Sequence, residues 1–122
     1  MGKFASDDIM DGALSVVKNN VNLMVLCSAQ PTTRAEAIST YALADVAMAS
    51  GDFTITDGDA NGRKVTVASK LAVLVDTTGE GNHVALVDAT RLLVVTVCTP
   101  QSVVAGSVVN FPAWDEEISD PI

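Results

Sequence analysis

Aromatic, basic and histidine side chains are all scarce in this sequence. One Trp, one Tyr and three Phe are the whole aromatic complement. A glycosidase needs two carboxylates across a cleft and ordinarily adds stacking rings, so this composition disfavours one. Seven Lys and Arg stand against fifteen Asp and Glu, for a formal charge of −8. The cations Lys3, Lys18, Arg34, Arg63, Lys64, Lys70 and Arg91 are spread out rather than clustered. Such a chain repels phosphate backbones and anionic lipid, which disfavours direct nucleic-acid and membrane-surface partners. The same charge keeps a Val-rich chain in solution and favours a basic partner surface.

The only histidine, His83, begins a strand-like run beside Gly81-Asn82. No nearby Ser or Cys completes a nucleophile motif, so a structural or surface role is the simpler reading, although a triad need not be local. The two cysteines, Cys27 and Cys98, both lie in apolar runs. They read as small buried hydrophobes kept as thiols, with a disulfide as the minor alternative. Two Cys and one His far apart give no metal-ligand spacing. The opening MGKFASDD lacks an apolar core of signal-peptide length, and no window reaches a membrane span. Internal repeats, low-complexity tracts and linkers are absent as well, so residues 1–122 are expected to form one domain.

What is present is apolar and β-branched. Nearly half the residues are hydrophobic, with Val and Ala prominent, and Val suits a pleated sheet. An amphipathic helix is predicted over about residues 7–19. Ser6 supplies a cap, Asp7, Asp8 and Asp11 favour the positive end, and Ile9, Met10, Ala13, Leu14 and Val17 recur at helical spacing. Residues 22–29 read as a strand stopped by Pro31, and Thr32-Thr33 opens a helical turn through Ala37. Residues 41–50 read as a short helix followed by a strand.

From Asp52 onward the pattern is β. Phe53 and Ile55, then Val65 and Val67, alternate with polar neighbours; Leu71, Val73 and Val75 form another run, and Val84 to Val87 another. Arg91 to Cys98 is apolar on both faces, which predicts a central, doubly buried strand. Turn chemistry at Asp57-Gly58, Asn61-Gly62, Gly79 to Asn82 and Ala105-Gly106 separates the runs. The expected fold is mainly β: an antiparallel β-sandwich or jelly-roll-like barrel with an N-terminal helix. The acidic tail, about 115–122, is expected to lie across the surface.

Two motifs invite chemistry. Asp57-Gly58-Asp59-Ala60-Asn61-Gly62 matches the opening of a calcium loop, with three oxygen side chains at alternate positions. The twelfth position, however, is Ala68 rather than Glu, and the flanks are strands. A hairpin using Asn61-Gly62 as the φ > 0 pair of a type I′ turn is the simpler reading. Gly79-Glu80-Gly81 lacks the residues of a phosphate loop. With no catalytic group, cofactor site or metal set identified, the chain is not expected to be an enzyme. The remaining enzymatic alternative is a metal-dependent hydrolase using Asp57 or Asp59. The second motif is Phe111-Pro112-Ala113-Trp114, which concentrates two of the few large rings before an acidic stretch. It reads either as a core plug or as an interface anchor. The segment before the helix cap has no structural task of its own. Phe4, Phe111 and Trp114 are therefore the candidate partner-contact residues.

Several of these segments resemble small virion proteins of tailed bacteriophages. The likeness lies in Asn110-Phe111-Pro112-Ala113-Trp114-Asp115 with the ending Asp120-Pro121, in Gly62 to Val67, in His83 to Asp88, and in an opening helix and strand leading to Cys27-Ser28-Ala29-Gln30-Pro31-Thr32. It runs over most of the chain and carries no catalytic signature. It implies a head decoration (cement) protein that binds the major capsid protein, stabilises the shell and assembles in the host cytoplasm. A tail, neck or peripheral adhesion component of the virion is the alternative. It leaves homo-oligomers open and implies no cofactor.

Overall fold

The computed structural model describes residues 4–119. Helix α1 spans Asp7–Asn20. Ser6 takes the N-cap backbone conformation, but its side chain makes no capping bond; its carbonyl accepts from the Ile9 and Met10 amides instead. Met10, Leu14 and Val17 are buried, while Ile9 and Ala13 face out. The apolar stripe is thus narrower than the spacing predicts.

Nine strands follow: β1 (Leu23–Cys27), β2 (Ala42–Ala47), β3 (Phe53–Asp57), β4 (Arg63–Val67), β5 (Lys70–Leu74), β6 (Gly79–Val87), β7 (Leu92–Val103), β8 (Val108–Phe111) and β9 (Trp114–Ile118). All pair antiparallel. They form a four-stranded sheet ordered β2–β1–β6–β7, a three-stranded sheet β3–β4–β9 and a two-stranded sheet β5–β8. The sandwich-like, mainly β architecture with one N-terminal helix agrees with the sequence pattern.

Register explains the core. Met24 and Leu26 of β1 stand opposite Leu86 and Val84 of β6 and share the inner face of the four-stranded sheet. They pack with Phe53, Val65 and Val67 of the three-stranded sheet, Leu14 and Val17 of α1, and Val73, Val109 and Phe111 of the β5–β8 pair. Val25, Cys27, Ala85 and Val87 occupy the outer face and are also buried, with Ala37 and the partly buried Ile38 and Tyr41 packed on them. The connection from β1 to β2 supplies that cover. It contains buried Pro31 and a π-type helical turn, Glu36–Thr40. The helix expected after Tyr41 is absent; strand β2 begins at Ala42.

Four expectations are corrected. The run 91–98 is not a central strand: β7 lies at the edge of its sheet, its residues are only partly covered, and Val97 is 74% exposed. The doubly buried strands are β1 and β6, because the β1–β2 connection crosses their outer face. The acidic tail is not draped over the surface. Residues Trp114–Ile118 are strand β9, paired with β4 from Val67↔Trp114 to Arg63↔Ile118. The run Leu71, Val73 and Val75 does not share one face, because Ala72 takes φ 56° and bulges the strand, turning Leu71 to solvent. Finally, Asn61-Gly62 does not form a two-residue turn. Only Gly62 has positive φ in that loop, and the Gly58 amide donates to the Gly62 carbonyl at 2.8 Å across a longer loop.

Candidate interaction surface

The three predicted contact residues are not brought together. Phe4 is 87% exposed just ahead of α1. Phe111 is 4% exposed and belongs to the core between the sheets. Trp114 lies between these extremes: it is half-buried against the core, and its indole N–H is buried without an acceptor among the described residues. Residues 1–3 and the Asp120-Pro121 ending fall outside the described residues.

The Asp57–Gly62 carboxylates are already committed. Arg63 Nη1 reaches Asp57 at 2.6 Å, and Lys64 Nζ reaches Asp59 at 2.7 Å and Asp115 at 3.4 Å. These bonds, with Asp59 the largest contributor, raise the Lys64 ammonium above its ordinary value. These ion pairs tie the loop to β4 and β9. Among the described residues, no three His, Cys, Asp or Glu side chains stand where they could share a metal ion. His83 sits on β6 with Nδ1 2.6 Å from Asn82 Oδ1, and no Ser or Cys among the described residues is hydrogen-bonded to it.

The thiols occupy opposite faces of the four-stranded sheet. Cys27 lies on the outer face among Val25, Ala37 and Ala85, whereas Cys98 packs against the inner core. Both are free. Burial, and secondarily the Cys98 thiolate, push Cys27 up to about 11. Cys98 is raised by burial too, but it is only partly covered. It lines two clefts beside β7: one of about 210 Å³ against Val109 to Pro112, and one of about 180 Å³ against Pro112 and Trp114.

The exposed apolar surface lies elsewhere. Leu71 and Leu74 of β5, Val108 of β8 and Val104 in the turn leading to β8 are 58–71% exposed. Leu74 and Val108 are direct cross-strand partners on the outward face. That turn is held by Ser107 N–H to the Val104 carbonyl and Gly106 N–H to the Val75 carbonyl. Sequence reasoning missed this surface because Leu74 and Val108 sit beside buried Val73 and Val109, and apolar character alone does not separate the two faces. The one available signal was the consecutive Val73-Leu74-Val75 and Val108-Val109 pairs, which leave an apolar residue on each side of a strand.

The charged surface is one-sided. Every described Lys and Arg is engaged within the molecule: Lys18 with the Ser50 and Phe53 carbonyls, Arg34 with the Asp88 carbonyl, and Arg63, Lys64, Lys70 and Arg91 with carboxylates. Asp7, Asp8, Asp45, Asp76, Glu80, Glu116 and Glu117 have no cationic partner among the described residues. Loss of hydration, and then repulsion from Asp76, pushes the Asp45 carboxyl upward.

No protein-family model, no curated protein and no solved structure matches the chain. Function is therefore inferred from residues and geometry.

Proposed function

We propose that this protein is a structural component of a tailed-phage virion that decorates the head, binding the major capsid protein and stabilising the shell. The observation that carries a binding role is the outward cross-strand pair Leu74–Val108 of the β5–β8 sheet, together with exposed Leu71 on β5 and Val104 in the turn before β8. Contiguous exposed apolar patches mark protein-binding surfaces. The resemblance read in the segments Gly62 to Val67, His83 to Asp88 and Asn110 to Asp115 is what suggests a virion setting. The surplus of unpaired carboxylates supports a partner with a basic surface. A shell under internal pressure gains from added buried area at its seams, repeated at every symmetry-related copy.

The test is to mix the protein with phage heads lacking it and determine the particle structure. Many copies over the shell, with Leu74 and Val108 at the contact, are expected. Leu74→Glu with Val108→Glu should leave the fold intact, since both side chains are solvent-facing, and should abolish attachment. Unimpaired attachment of that double variant would overturn the assigned surface. Six or twelve copies confined to the tail axis would overturn the head assignment in favour of a tail or neck component.

A further inference from the structure

Strand β7 pairs with β6 on one side only, at the end of the four-stranded sheet. Its twelve residues contain no charged side chain. Natural sheets blunt such edges with short strands, charges, prolines or charged residues turned inward. The edge strand β9 follows that practice: Glu116 stands opposite buried Val65 and on the same face. In β7 only Pro100 interrupts the edge, because it lacks an N–H. Along residues 92–99 every second residue turns its backbone N–H and C=O away from β6, and no other strand among the described residues pairs with that outer side.

The side chains beside this row suit an incoming strand. Two apolar clefts flank β7, with Cys98 lining both and Trp114 at the end of one. Strand addition draws affinity from main-chain hydrogen bonds and selectivity from pockets that receive alternate side chains. Trp114 also holds a buried indole N–H with no acceptor among the described residues.

Charge decides what the strand is. Glu80 lies directly opposite Ser102 of β7, Asp115 lines the cleft beside Trp114, and Glu116 is on the adjoining edge strand. No uncommitted Lys or Arg is available among the described residues to balance an acidic arrival. A second copy would bring the same carboxylates and another net −8. We propose that β7 is a docking edge for an extended basic and apolar segment of a different polypeptide, which adds to the four-stranded sheet along residues 92–99. This holds whether or not that polypeptide belongs to a capsid.

The experiment needs no phage particle. Three synthetic peptides serve as probes: one alternating Val and Lys, one alternating Val and Glu, and the Val–Lys peptide with a central Pro. Amide exchange of the full chain reports β7, and the emission of Trp114, the only tryptophan, reports the cleft. The Val–Lys peptide should protect the alternate, outward-pointing amides within residues 93–99 and shift the Trp114 emission. The Val–Glu and Pro-containing peptides should bind roughly tenfold more weakly or worse. Val97→Lys places a charge on an exposed edge residue, so the variant should melt like the parent and lose Val–Lys binding. Binding without β7 protection, equal binding of the Val–Glu peptide, no binding, or an indifferent Val97→Lys variant would overturn the proposal. Protection of β7 that grows with protein concentration alone would overturn it too, by making a second copy the occupant.

Discussion

Gly81 of β6 faces Leu26 of β1 so closely that a Cβ on Gly81 would stand 2.6 Å from the Leu26 side-chain carbons. Both residues are buried, so neither can move freely aside. Gly81→Ala is expected to cost about 1–3 kcal/mol by overpacking. Leu26→Ala alone should cost about 2–5 kcal/mol. The double variant should lose less than the sum, because removing Leu26 makes room for the new methyl. Urea unfolding of the four proteins measures the coupling, and strict additivity would contradict the contact.

Acid should unfold the protein through a few identified carboxylates. The Asp88 carboxyl lies below the ordinary range, chiefly because the Thr90 amide donates to it at 2.8 Å, with Arg91 adding a charged partner at 2.7 Å. Asp52 is lowered first by Lys70 and then by the Ala49 amide, and Glu36 by the Thr32 amide and hydroxyl. A carboxyl depressed in the folded state stabilises above its unfolded value, near 4, and that stabilisation disappears as pH falls through the folded value. Melting temperature should therefore hold from neutral pH to about 5 and drop below about 4. Asp88→Asn should start from a lower melting temperature and show a shallower acid decline; a parallel curve would remove Asp88 from this account.

The two thiols should differ in reactivity. Cys98 is partly exposed beside the clefts, while Cys27 is fully enclosed with its thiol pushed up to about 11. Thiolate is the reacting form, so at mildly alkaline pH an alkylating reagent should modify Cys98 first and Cys27 only at the rate of unfolding. Denatured protein prepared under alkylating conditions should carry two modified cysteines. A count of zero would mean that they pair, which the opposite placement of the side chains on the sheet argues against.

Trp114 tests whether a ring on the core boundary serves packing or contact. Trp114→Ala removes a half-buried ring that packs on the core and should destabilise the isolated protein by about 2–4 kcal/mol. Trp114→Phe keeps most of the apolar contact and deletes the indole N–H, which has no acceptor among the described residues. Because an unsatisfied buried donor is itself costly, that variant should lie within about 1 kcal/mol of the parent. A loss as large as for alanine would show that the N–H is satisfied in solution.

Much of this architecture was legible in the residues, and the misses share a cause. Helix α1 and strands β3 and β4 follow from spacing and alternation, because there one face meets the core and the other is more open, while the β6 run follows from consecutive apolar residues buried on both faces. The β7 misreading arose because Leu92 to Cys98 is apolar on both sides, which signals burial for each residue but says nothing of strand order. Strand order depends on the 28–41 connection, which covers β1 and β6 and stops short of exposed Val97. Strand β9 was hidden by its charge. Main-chain pairing tolerates Asp115 and Glu117 because their side chains face solvent, where Asp115 meets Lys64 and Thr66. Of the candidate site, Trp114 was legible as a boundary residue, whereas the exposure of Leu71 depended on a bulge at Ala72 that an alanine does not announce.

The pairing of β4 with β9 also sets the order in which the molecule can assemble. Strands β3 and β4 are neighbours in sequence and can zip together locally through Phe53↔Val67 to Asp57↔Arg63. Their third strand arrives only when Trp114 finds Val67, across a long intervening chain that includes β5 to β8. Closing that loop costs chain entropy before the contact returns any of it. The hairpin must therefore wait, with the side of β4 that will receive β9 open to water. Refolding is expected on the millisecond-to-second scale of proteins rich in distant pairings. During that interval the unpaired side of β4, rather than any surface of the finished molecule, is where neighbouring chains can mispair.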